Sequence, residues 1–279
     1  MVTVDALAEA LTVIKMATKK YPQSAMLWRL YSDLHCRQIC IAQSVGDRNE
    51  HYRRSIAACM KGVQCVEMRD APGLWMNMMD VMIAQLTYLS TKNGDGDNGK
   101  REDSDSDSDD DGDLRMVQNG VMERKQADAI HNGFRKGIQH CLSHNDLLKE
   151  SYLRWMLMYH GEDEGKQMEV LQWFENQTMK CSPRIYKIIL DIYESTLLFG
   201  IAGLTAMDRR QKNKIDRIGR VYEKCLNEHG KTEAEVWVWY VEWCRRYKKP
   251  CDASSAYQRA MKTLHSGVLQ TFLQRVDTR

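Results

Sequence analysis

Proline and phenylalanine are scarce, with four of each in 279 residues. Few prolines leave long stretches free of the residue that breaks helix interiors. Strict two-residue alternation bounded by turn pairs is missing over most of the chain, which argues against a sheet. No apolar run reaches the roughly 18 residues that a membrane-spanning helix needs. The opening stretch MVTVDALAEALTVIKMATKKYP places an acid ahead of its apolar stripe and lacks a small-residue cleavage site, so it does not read as a secretory signal. The C-x-x-C spacing that closes zinc knuckles is also missing. The nine cysteines are an odd number scattered at helical positions. That pattern argues for reduced thiols of the cytosol or nucleus, several of them standing in for alanine in a core.

What is present is a repeated helical stripe, clearest between residues 217 and 264. Tyr222 and Cys225 lie three apart, a break follows at His229 and Gly230, and Trp237, Tyr240 and Trp243 then recur at every third position. Residues three or four apart share one face of a helix, so the two segments form an amphipathic hairpin. After Pro250 the first half recurs, with Tyr257 and Ala260 in the places of Tyr222 and Cys225. Weaker copies run through the rest of the chain. Trp28 with Tyr31 and Leu34, Trp75 with Met78 and Val81, Tyr152 with Trp155 and Met158, and Tyr186 with Ile189 and Ile192 give the aromatic-bearing helices. Ile14 with Ala17, Ile56 with Cys59, Phe134 with Gly137, and Leu171 with Phe174 give the helices that precede them. A large ring needs a facing notch, and the small second residue of each pair supplies it; Phe174 departs from that rule. Pro22, Pro72, Pro183 and Pro250 fall between the stripes. The fold predicted is all-α, an α-solenoid of stacked antiparallel helix pairs, with each hairpin burying the apolar flank of the next.

This pairing of W-x-x-Y with an aromatic-plus-small helix resembles the half-a-tetratricopeptide (HAT) repeat. The final segment AYQRAMKTLHSGVLQTFLQR, with KYPQSAMLWRLYSDL and EVWVWYVEWCRRY before it, is similar to the C-terminal half of the U3 small nucleolar RNA-associated protein 6 family. The resemblance implies a non-enzymatic scaffold of the small-subunit processome in the nucleolus. It further implies WD-repeat proteins as partners, and U3 RNA and the 18S precursor contacted directly or indirectly. No catalytic residue, cofactor or metal is carried over. The family starts with an N-terminal helical segment of another kind, so the chain is expected to be a C-terminal portion. Other HAT scaffolds, of splicing or 3'-end cleavage, share the fold, and a tetratricopeptide adaptor gripping acidic tails is the remaining rival. Trp28, Tyr31, Trp75, Tyr152, Trp155, Tyr186, Tyr222, Trp237, Tyr240 and Tyr257 are the expected structural anchors.

Between helical segments 1–90 and 121–279 lies an insertion, 91–120, that lacks the apolar area to offset chain entropy and is expected to be disordered. Its core, residues 102–113, carries eight carboxylates and no cation. Removing that charge from a net +2 leaves the rest of the chain at +10, a balance suited to nucleic acid or acidic protein partners. Ser104, Ser106 and Ser108 each precede an aspartate by three positions, the pattern of acidophilic kinase sites. Gly94, Gly96, Gly99 and Lys100 imitate phosphate loops, but a helix stands where a strand should precede them, Asp95 and Asp97 would repel a phosphate, and Arg101 replaces the metal-binding Ser or Thr. Asp107, Asp109, Asp111 and Gly112 imitate a calcium loop whose last ligand position holds Gln118 instead of glutamate. His35 with Cys36 and Cys40, and His140 with Cys141 and His144, have no second ligand pair suitably spaced. Arg209, Arg210, Lys212, Lys214, Arg217 and Arg220 crowd the start of a helix, where cations oppose the helix dipole. They read either as a surface for RNA phosphate or an acidic partner, or as a solvated face.

Overall fold

The computed structural model describes residues 4–94, 110–141, 145–177, 180–197 and 209–277. Among them are twelve helices and no strand. The fold is all-α, as the stripes predict.

The chain divides into two compact units, Met1–Tyr152 and Leu153–Arg279. The first holds α1 (Val4–Lys20), α2 (Ala25–Ile41), α3 (Val45–Cys65), α4 (Ala71–Gly94), α5 (Asp110–His140) and the first half of α6 (Asp146–Tyr159). Successive helices pack as antiparallel neighbours. Trp28, Ser32 and His35 of α2 meet Gly62, Ser55 and His51 of α3 in reverse order. Trp75, Met79 and Gln85 of α4 likewise meet Gly137, Gly133 and Gln126 of α5. The helices flanking the acidic insertion therefore lie side by side, and the boundary between compact units falls inside α6 instead. Backbone helix extends to Gly94 and resumes at Asp110, so helix covers both ends of the expected loop 91–120. Residues 95–109, with Ser104, Ser106, Ser108, Gly96, Gly99, Lys100, Asp107 and Asp109, lie outside the described residues, whereas Asp111, Gly112 and Gln118 of the calcium-loop imitation fall in the helical backbone of α5.

The second unit holds the rest of α6, then α7 (Glu164–Asn176), α8 (Pro183–Leu197), α9 (Arg209–His229), α10 (Ala234–Tyr247), α11 (Pro250–Thr263) and α12 (Ser266–Asp277). Here too neighbours run antiparallel: Asp216, Gly219 and Glu223 of α9 meet Lys248, Trp243 and Tyr240 of α10. Residues 198–208 lie outside the described set.

Local chemistry places the helix ends. Ser44 accepts from the Asp47 backbone N–H at 3.0 Å, and Asp163 accepts from that of Lys166 at 2.9 Å, which satisfies amide donors that the first turn leaves open. Pro22 does lie between helices, but Pro72, Pro183 and Pro250 sit in first turns, where the missing N–H costs nothing and the fixed φ suits the helix. A stripe also needs correction at Met158, which is 79% exposed. From Tyr152 the inward step goes by four residues to Met156, fully buried, so the last turn of α6 presents Met158 to solvent.

Candidate functional site: aromatic anchors and a cationic groove

Seven of the ten expected anchors are buried: Trp28, Trp75, Tyr152, Trp155, Tyr186, Tyr222 and Trp237. Tyr31, Tyr240 and Tyr257 are half-buried. Rings lodge against glycine in three places. A Cβ added at Gly62 would stand 2.7 Å from Trp28 Cγ, one at Gly137 3.0 Å from the Trp75 ring, and one at Gly219 3.1 Å from the Trp243 ring. Any side chain there would compete with an indole for the same space. Gly137 is the predicted notch. Gly62 and Gly219 are not: they lie one turn C-terminal to Cys59 and two turns N-terminal to Cys225.

The indoles also fasten turns. Trp28 Nε1 donates to the Pro22 carbonyl and Trp237 Nε1 to the Gly230 carbonyl, each at 2.7 Å. Two amide side chains take the same part, Asn145 donating to the Ile138 carbonyl at 2.7 Å and Gln167 to the His160 carbonyl at 2.8 Å. A buried donor reaching back six or seven residues satisfies a carbonyl exposed by the preceding helix end, and this holds each turn against the helix that follows.

Two polar clusters lie inside the first unit. Ser32, Ser55, Cys59 and Asn77 share hydrogen bonds of 2.7–3.2 Å, so Cys59 belongs to a polar contact instead of a notch. His35 faces His51 with Nδ1 atoms 3.5 Å apart. Burial, and then the neighbouring His51, pull the His35 pKa down to about 4. No group of three or more potential metal ligands exists among the described residues.

The basic group on α9 splits by role. Lys212 and Arg220 are exposed and Lys214 is half-buried. Arg217 Nε pairs with Glu175 at 3.3 Å and its guanidinium lies 5.3 Å from the centre of the Tyr193 ring, which commits it to joining α7, α8 and α9. Arg209 and Arg210 open α9, and their side chains lie outside the described residues.

A second cationic feature was not foreseen. In the first unit a cavity of about 460 Å³ opens over α2, lined by Lys15, Thr18 and Lys19 of α1 and by Arg54, Ala58 and Lys61 of α3. Trp28 and Tyr31 of α2 are its floor, and Lys61 Nζ lies 5.9 Å from the centre of the Trp28 ring. No acid lines it. Arg54 pairs with Glu50 outside the cavity at 2.8 Å, with both side chains about half exposed, a geometry that contributes little. The sequence signal was present in the spacings: Lys15 and Lys19 share one helical face, as do Arg54 and Lys61. What spacing alone does not reveal is that α1 and α3 flank one floor.

These features define an all-α protein of stacked helical hairpins with aromatic anchors. No protein-family model matches the chain, and no curated protein matches it. Among the described residues no helix is long and apolar enough to cross a membrane.

Proposed function

We propose that the chain is a non-enzymatic docking scaffold of a ribonucleoprotein, acting with the U3 particle on the 18S precursor in the nucleolus. The observation that carries the reading is the recurrent lodging of an indole against a glycine of an adjacent antiparallel helix, at Trp28, Trp75 and Trp243, together with the HAT-like residues Tyr222, Trp237 and Tyr240. Packing of this kind makes rigid helical walls whose outer faces are free to bind. The +10 balance outside the acidic segment suits an environment rich in phosphate and acidic proteins.

Sequencing RNA crosslinked to the tagged full-length protein in cells tests the reading. Enrichment of U3 RNA and the 18S precursor, with WD-repeat subunits in the same purification, is the expected result. Spliceosomal RNA or messenger 3' ends would move the chain to another HAT assembly. Recovery of chaperone tails without RNA would make it a peptide adaptor.

A further inference from the structure

The two units treat equivalent positions differently. Aligning Ile14 with Tyr222, Trp28 with Trp237 and Ile56 with Tyr257 puts Lys15 where the second unit has Glu223, Tyr31 where it has Tyr240, and Ala58 where it has Arg259. In the second unit those residues form one polar knot. Glu223 accepts from both Nη atoms of Arg259, at 2.7 and 2.9 Å, and from the Tyr240 hydroxyl at 2.8 Å. The Arg259 guanidinium lies 5.5 Å from the centre of the Trp237 ring. A carboxylate thus sits beside the aromatic pair, held by a phenol and a cation.

In the first unit the aromatic pair remains, but both ionic partners have changed. Lys15 reverses the charge of the glutamate position, and Ala58 replaces the arginine with a methyl group, which leaves the space that becomes the cavity. Lys15, Lys19 and Lys61 are all exposed and make no ion pair, and the Tyr31 hydroxyl makes no hydrogen bond, among the described residues. The groove therefore offers three ammonium groups without an ion pair and a phenol around an apolar floor, beside the Arg54 guanidinium that Glu50 holds from outside, and no carboxylate lines it.

We infer that this groove docks an acidic peptide segment of a protein partner, one carboxylate taking beside Tyr31 and Lys15 the place that Glu223 takes beside Tyr240 and Arg259. The ligand class follows from the second unit, where the group that satisfies the phenol and the cation beside the indole is a carboxylate. The inference rests on reading the chain as a docking scaffold, and it assigns that scaffold a binding face and a partner chemistry.

Fluorescence anisotropy on the purified full chain tests it with three labelled probes: a ten-residue peptide of Glu and Asp around one Leu, the same peptide with Gln and Asn, and a ten-nucleotide uridine RNA. The acidic peptide should bind, weaken as salt rises, and exceed the amide peptide by at least about tenfold. Lys15→Glu and Lys61→Glu should each weaken it by about tenfold or more, Lys15→Ala by about threefold and Tyr31→Phe by a similar factor. Lys231→Glu, in the exposed turn between α9 and α10, should leave it unchanged. Lys15→Glu should keep or raise the melting temperature, because a glutamate there can accept from Tyr31 as Glu223 accepts from Tyr240; loss of folding in that variant would show as a lower melt, and Lys15→Ala then decides. Equal binding of the amide peptide, or wild-type affinity in the Lys15 and Lys61 variants, overturns the proposal. Tighter binding of the RNA, lost in the same variants, overturns it in favour of a nucleic-acid groove. The assay contains no ribonucleoprotein, so failure here removes the peptide groove alone, while the RNA recovered from cells decides the scaffold.

Discussion

Glycine has opposite values at two positions of similar sequence appearance. At Gly62 the site of a Cβ is taken by the Trp28 indole, so Gly62→Ala gains about 1 kcal/mol of helix propensity and loses about 1–3 kcal/mol to overpacking. The net expected is a destabilisation of about 1 kcal/mol. Gly73 has nothing within 4 Å of its added Cβ and lies in α4, so Gly73→Ala should stabilise by about 0.5–1 kcal/mol. Urea melts of the two variants give opposite signs if the ring contact governs; the same sign in both would refute it. Trp237 is 2% exposed and its N–H satisfies the Gly230 carbonyl; Trp237→Ala should cost about 3–5 kcal/mol. An unshifted melt for that variant would contradict its place in the core. His35 supplies a pH response. Burial, followed by His51 and then by Arg54, disfavours its cation, whereas Glu50 opposes them weakly and Lys15 adds to them. Its folded pKa of about 4 lies below the ordinary value of about 6.5. The unfolded chain therefore binds the proton first as pH falls. The stability due to neutral His35 is complete above pH 6.5 and is lost between there and about pH 4. Thermal melts at pH 7.5 and 5 should show a larger drop for the wild type than for His35→Leu, which has no proton to take up.

Between elements, the bond set of Glu223 ties α9, α10 and α11 together. Arg259 above all, then Tyr240, holds the Glu223 carboxyl below the usual carboxylate range against the opposing effect of burial. Its contribution is present above the ordinary carboxylate pKa and disappears as pH falls through the lower folded value. Both partners are more than a third exposed, so solvent screening limits the pair. A double-mutant cycle of Glu223→Gln and Arg259→Gln should give a coupling of about 0.5–1 kcal/mol in 0.1 M salt and less in 1 M salt. A coupling of zero would leave the hold on α11 to its other contacts, such as those of buried Ala253, Ala256 and Ala260. The same helices show what a sequence discloses. Trp237, Trp75 and Tyr152 are legible because an apolar period is a property of one helix. The notch that receives a ring belongs to the facing helix, and its register depends on how two helices cross; Gly62 and Gly219 therefore miss the predicted positions by one and two turns, while Gly137 meets its own. Arg217 reads as a surface cation until α7 brings Glu175 beside it, a pairing 42 residues apart in the chain. The groove over Trp28 and Tyr31 is hidden for the same reason, since its walls are separated in sequence by the floor.

At the scale of the whole molecule, charge is segregated along the chain. Eight carboxylates within residues 102–113 offset a remainder of +10, and the cations of that remainder include exposed Lys15, Lys19 and Lys61 at the groove and exposed Lys212 and Arg220 on α9. A tethered polyanion in the same chain lowers the mean potential that any free polyanion meets, and the effect fades once ionic strength shortens the Debye length to a few ångströms. Exchanging all eight carboxylates for amides raises the net charge from +2 to +10. Affinity for a twenty-nucleotide RNA of arbitrary sequence should then rise by at least about tenfold at 50 mM salt, and its logarithm should fall more steeply with the logarithm of salt than in the wild type. The two titrations should converge near about 0.5 M salt. If the affinities and slopes coincide at every salt concentration, the acidic segment does not tune the cationic surface, and the binding strength of the chain is set at individual sites such as the groove.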